Sequence, residues 1–181
     1  MRTGRFLLLL CAFAGAALEA GCAHYQWGTR GRLPFTSLYV EPVRNRTLLP
    51  QAEAPIETQL RLALIQDGRV QIVDSPAAAD AVLAVVISGF KREVAAVRQQ
   101  DTGLASKFAE TLTAQCTLID RRSGRAYFEN RVVQAKRDVF TDSGNPHSPL
   151  IGDQLQSEYN TIPLLAESLS NHIAHAVLDV W

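Results

Sequence analysis

Cysteine is scarce in this chain of 181 residues, with only Cys11, Cys22 and Cys116. A framework of several disulfides is therefore excluded, and a chain of this length can bury a core without such staples. A basic excess is also missing. The 18 Lys and Arg residues are matched by 18 Asp and Glu, which argues against a nucleic-acid binder. Beyond residue 18 no apolar run approaches the length of a transmembrane helix. No Ser lies in a G-x-S-x-G elbow, no phosphate-loop Lys follows Gly28-Thr-Arg-Gly31, and no pair of carboxylates stands out. His172, His175 and Asp179 are spaced a turn apart, but they match no ligand pattern and read as a solvated helix face. His24 and His147 have no neighbours that suggest a triad. Nothing here points to an enzyme, a metal or a cofactor.

What is present begins at the first residues. Arg2 and Arg5 precede an apolar stretch, Phe6 to Leu18, and Ala20-Gly21-Cys22 follows. A basic start, a short apolar segment and small residues at a cleavage point describe a secretion signal over residues 1–21. Its removal takes two Arg and one Glu, leaving 16 cationic and 17 anionic residues, a net charge of −1. Cys22 then heads the mature chain, the position at which a bacterial lipoprotein is acylated. Glu19 stands three places before it, where a lipobox usually has Leu, and Leu18 is one place further back. The alternative is ordinary cleavage after Ala20, with Cys22 kept as a thiol. A diacylglycerol plus an N-acyl chain, at ~0.8 kcal/mol per buried CH2, would hold the protein to a bilayer permanently. Ala23, not Asp, follows the cysteine, which by the enterobacterial sorting rule directs export to the outer membrane.

Residues 22–35 read as a lipidated start and short tether, and residues 36–181 as one domain. Thr36 to Val43 has the β-branched and aromatic content of a strand, with Leu38, Val40 and Pro42 on one side, and 44–47 is a polar loop. Glu53 to Asp67 is an amphipathic helix carrying Ile56, Leu60, Ala63 and Leu64 on one face. Pro55 suits its first turn, Glu57 and Arg61 form an i,i+4 pair, and Gly68 is placed to end it. Val70 to Val73 gives a short strand, and a strand–helix–strand unit implies a parallel crossover. Ala81 to Val97 is a long strand, bent near Gly89. Phe108 to Asp120 alternates cleanly, with Leu112, Ala114, Cys116 and Leu118 opposite Thr111, Thr113, Gln115 and Thr117. A turn at 121–125 returns it as Ala126 to Val139. The final helix shows Ile162, Leu165, Leu169, Ile173, Ala176 and Val180 on one face. Pro163 either starts it near Thr161 or kinks a longer one beginning near Ile151. The order β-α-β-β-β-β-α predicts an α+β two-layer sandwich. Its mixed sheet of four to five strands packs both helices on one face and leaves the other face open.

Basic residues crowd the second hairpin. Arg121, Arg122 and Arg125 occupy its turn, Lys136 and Arg137 its returning strand, and Lys91 and Arg92 the strand before. Charge on sheet edges suppresses aggregation, and Arg forks also suit phosphate. Arg121, Arg122, Arg125 and Lys136 are the candidate anion contacts.

The pieces together resemble a family. Tyr25 follows Cys22 by three places, and the first strand runs LYVEPVRNRT over residues 38–47, with Pro42, Asn45 and Thr47 in the family's Pro-x-x-Asn-x-Thr-like pattern. A helix ends at Gly68, Val70 to Asp74 follows, and Ala79-Asp80-Ala81-Val82-Leu83 enters the long strand. This is similar to the lipopolysaccharide-assembly lipoproteins of the LptE family. The family's common Gly-Tyr after the cysteine is here Ala23-His24-Tyr25. The resemblance implies a non-enzymatic protein without cofactors. It would sit as a plug in an outer-membrane β-barrel of the LptD type, bind lipopolysaccharide and assist its insertion into the outer leaflet. It would act from the periplasmic face of the outer membrane, and no family ligand residues carry over one by one. The alternatives are a lipoprotein activator of a peptidoglycan synthase, another periplasmic lipid-anchored binding protein, and a periplasmic enzyme. The first needs a long linker, whereas about a dozen tether residues at ~3.5 Å each reach too short a distance.

Overall fold

The computed structural model describes residues 33–97, 105–140 and 150–180. Its elements are β1 (Ser37–Val40), β2 (Arg44–Asn45), α1 (Glu53–Asp67), β3 (Gln71–Ile72), β4 (Ala81–Val97), β5 (Ala105–Asp120), β6 (Ala126–Phe140) and α2 (Leu150–Leu178). They form the expected two-layer α+β sandwich with a mixed sheet. The strands run β3-β1-β4-β5-β6, and β2 also pairs with β4, making six. β1 is parallel to both β3 and β4, whereas β4, β5 and β6 form an antiparallel meander.

The expected first strand, Thr36 to Val43, is broken into β1 and β2 and changes phase between them. Val40 lies opposite Leu83 and Arg44 opposite Val86, so four residues advance on one strand against three on the other. Pro42, which has no N–H to give a ladder, sits in this irregularity. Alternation that buries Leu38 and Val40 therefore resumes at Val43, and Pro42 is exposed. The polar stretch read as a loop begins with two residues of ladder, Arg44 and Asn45.

Helix α1 follows its sequence signals. Ile56, Leu60 and Leu64 are fully buried, and Arg61 donates to the Val40 carbonyl at 3.0 Å and lies 3.5 Å from Glu57. Gly68 closes the helix at φ 73°, its N–H on the Leu64 carbonyl. Helix α2 is the longer of the two alternatives, 29 residues or ~43 Å, with Pro163 inside. Pro163 and Tyr159 are exposed, so water can serve the carbonyl that the proline leaves without a donor. The buried side of α2 carries Ile162, Leu165, Leu169 and Ile173. Ser170 Oγ donates to the Ile56 carbonyl at 3.2 Å, tying the two helices together.

Both helices cover one side of the sheet. Leu83, Val85 and Ile87 of β4 meet Leu112, Ala114, Cys116 and Leu118 of β5 beneath them in one core cluster. The opposite side keeps Val82, Ala84, Val86, Thr113, Gln115 and Thr117 half-buried. A register shift between Ile87 and Gly89 falls at the expected bend. In β6, three residues advance from Phe128 to Arg131 against two from Leu118 to Cys116, and Asn130 takes up the extra residue at φ 49°. We expect Leu169→Ala, in the fully buried seam of α2, to cost about 2–5 kcal/mol, measured as a shift of the urea midpoint at unchanged slope.

Candidate functional surface

The short signatures in the sequence build folding ties. Asp80 Oδ2 accepts from the Thr36 N–H at 3.1 Å, the Thr36 hydroxyl at 2.8 Å and the Ser37 N–H at 3.0 Å, while the Asp80 N–H reaches Ser37 Oγ at 2.9 Å. These bonds, those of Thr36 foremost, hold the Asp80 carboxyl well below the usual carboxylate range. Asn45 and Thr47 work the same way in the loop after β2. Asn45 Oδ1 accepts from the Thr47 N–H at 2.9 Å, Asn45 Nδ2 donates to the Leu49 carbonyl at 2.9 Å, and the Leu49 N–H donates to Thr47 Oγ1 at 3.2 Å. The loop so formed delivers the chain into a short 3-10 turn and then α1.

The candidate cations lie at two ends of the sheet. Arg121, Arg122 and Arg125 occupy the β5–β6 turn, which Gly124 closes at φ 69°. Asp120 braces that turn, accepting from the Ser123 N–H at 2.7 Å and the Tyr127 hydroxyl at 3.1 Å. The Ser123 amide is the chief reason that its carboxyl is depressed. Arg121 serves the fold, its Nε on the Ala79 carbonyl at 2.9 Å and its N–H on the Asp80 carbonyl at 2.9 Å. Arg122 and Arg125 are exposed, with no ion-pair partner among the described residues.

Lys136 stands apart from them. It pairs with Thr111, nine ladder steps or roughly 30 Å from Asp120. Lys91 flanks Thr111 from the other side, so both lysines lie on the open face. Lys91 is 2.7 Å from Glu93, and Lys107 on the same face is 3.0 Å from Asp138. On the helix side, Arg92, Glu110 and Arg137 share one cross-strand row, and Glu110 is only 1% exposed. Sequence reasoning missed Lys107 and Glu110, because their partners become neighbours only through strand register.

His172 and His175 are exposed, and His172 Nδ1 lies 2.8 Å from the Gln134 carbonyl on edge strand β6. Among the described residues no cluster of His, Cys, Asp and Glu could hold a metal. Cys116 is buried, and burial pushes its thiol up to about 12. Cys22 lies outside the described residues.

The family model described as LptE, lipopolysaccharide-assembly, matches residues 35–175, nearly the whole domain just described. The chain belongs to the LptE family. No curated protein matches it. Among solved structures, a minor lipoprotein from Acinetobacter baumannii is 16% identical with a TM-score of 0.50, covering 81% of this chain and 94% of its own. An uncharacterized lipoprotein B from Nitrosomonas europaea is 14% identical with a TM-score of 0.51, covering 84% and 88%. At these identities the likeness is one of fold.

Two predictions follow from these side chains. The Asp80 tie stabilises fully above the carboxyl's ordinary 3.8 and is lost as the pH falls below it, since its folded-state pKa is depressed. The thermal midpoint should therefore drop in that acid range, and Asp80→Asn should start lower and vary less with pH. Thiol titration of the native mature protein should give no reactive group if Cys22 is acylated and one if it is not, with Cys116 reacting only after denaturation.

Proposed function

We propose that this LptE-family chain is a non-catalytic outer-membrane lipoprotein, anchored through Cys22 on the periplasmic side. In that reading it plugs an LptD-type β-barrel and assists insertion of lipopolysaccharide into the outer leaflet. The family match over the domain carries the reading. The layered architecture supports it, because one sheet face is sealed by helices while the other offers a half-buried mixture of Val, Thr and Gln to a protein wall. β4, β5 and β6 are 17, 16 and 15 residues long, up to ~55 Å, which suits a body lying along a barrel.

The exposed candidates Arg122, Arg125 and Lys136 are the cations offered to phosphate, while Arg121 contributes through the turn that it holds. Lys136, with Lys91 beside the same threonine, is the pair that we assign to lipopolysaccharide phosphates.

A C-terminally tagged full-length chain drawn from detergent-solubilised outer membranes should bring down a stoichiometric large β-barrel. Recovery of a peptidoglycan synthase, or of no membrane partner, would overturn the barrel reading. Lys136→Glu should weaken lipopolysaccharide binding several-fold without moving the thermal midpoint. Unchanged binding would remove the lysine pair from the site.

A further inference from the structure

One edge of β4 is flanked over only half its length. β1 pairs with it as far as Leu83 and β2 as far as Ile87, where the Arg46 N–H meets the Ile87 carbonyl at 3.0 Å. Beyond Ile87, among the described residues, β5 is the strand that pairs with it. Residues 91–97 are all exposed, Val94 at 58%. The carbonyls of Leu83 and Ile87 both point out from the flanked part of this edge. A strand alternates its backbone groups in step with its side chains. Phe90, Arg92 and Val94 lie opposite Leu112, Glu110 and Phe108 on the helix side, just as Leu83 and Ile87 lie opposite Leu118 and Ala114. Their N–H and C=O groups therefore point out from the same edge, where they form a template for another strand.

Charge normally guards such an edge, and Lys91, Arg92 and Glu93 sit in the middle of this one. Their order has a second property. When the edge runs antiparallel to its own copy about Arg92, Lys91 comes opposite Glu93 of the second copy, and Glu93 opposite its Lys91. Both contacts fall on the open face. On the helix side Phe90 meets Val94 of the second copy. Sliding the copies by two residues either way sets Lys91 against Lys91 or Glu93 against Glu93, so charge selects one register. The pairs fit between the end of the β2 ladder at Ile87 and the register shift after Val94. Arg92 meets its own copy, which opposes pairing. Glu110 flanks it on the other side, and its guanidinium lies 5.0 Å from the Phe108 ring on β5, away from the seam.

We propose that the β4 edge from Phe90 to Val94 is a pairing site for a second copy of this chain, which joins the two sheets about a two-fold axis. Phe90 pairs with Val94, Arg92 with Arg92 and Val94 with Phe90, at two hydrogen bonds each or about six in all. The inference goes beyond the barrel reading and does not rest on it. It concerns the chain outside a barrel, and it uses a strand edge where the barrel reading uses the open face. Lys136, two strands away on β6, stays clear of the seam.

The test is sedimentation velocity at rising concentration, on the full chain with Cys22→Ser so that no lipid brings copies together. This parent chain should pass from monomer to dimer. Lys91→Glu and Glu93→Lys each set like charges across the seam, and each alone should raise the dissociation constant about thirtyfold. Both positions are exposed, so the variants should keep the parent's thermal midpoint. Each variant also loses the internal Lys91–Glu93 pair, 2.7 Å in the native chain. Mixing the two variants separates these causes. The two acids of one chain then meet the two bases of the other, and a mixed dimer should form about as tightly as the parent, although neither chain has regained its internal pair. A parent that stays monomeric at every concentration overturns the inference. Dimerisation of either variant at parental strength also overturns it, because the interface then lies elsewhere. A mixture that associates no better than the variants alone overturns it too, because the pair then serves only its own strand. None of these outcomes bears on recovery of a barrel, so the barrel reading stands or falls separately.

Discussion

A parallel strand pair cannot be closed by a tight turn, so β1 and β4 need something other than chain continuity to fix their register. Asp80 supplies it. One residue before β4 begins, its carboxylate gathers two backbone amides and a hydroxyl from the start of β1, and its own amide returns to Ser37. Leu38 is thereby set opposite Ala81 and Val40 opposite Leu83, so their apolar side chains enter the same face. Arg121 extends the tie to the β5–β6 turn through the carbonyls of Ala79 and Asp80. The parallel edge, the meander and the tether entry thus meet around one short acidic motif.

This tie also explains how the family could be read from so little sequence. Ala79-Asp80-Ala81 and Asn45-x-Thr47 are short, and neither is a ligand set. Each satisfies backbone groups at a point where the chain changes direction, a role that demands particular side chains. The alternation in β5 and the Gly68 stop were equally legible, because they follow from side-chain period and backbone sterics alone. Pro42 was misplaced on the buried side, since a one-residue irregularity shifts every later side chain to the other face. The split of the basic residues into two groups was not legible. Arg125 and Lys136 are close in sequence, but a strand carries them roughly 30 Å apart once the ladder forms. Glu110 reads as a surface residue until register sets it between Arg92 and Arg137 on the helix side of the sheet.

The molecule is therefore two-ended. Its turn end holds the tether entry, the braced carboxylates and two arginines with no ion-pair partner among the described residues. Its far end carries lysines on an open face and a buried carboxylate in an arginine-flanked row. Between them lies a core that buries Cys116 and offers no catalytic set among the described residues. Such a division suits a protein that works by contact along its length.

The central claim is that the open sheet face meets a barrel wall. Its most direct test is a photo-crosslinking amino acid placed in cells at Thr113, half-buried in the middle of that face. The account predicts an irradiation-dependent adduct with a large outer-membrane β-barrel. An adduct with a peptidoglycan synthase, or none at Thr113 while the protein is folded and membrane-bound, would contradict it.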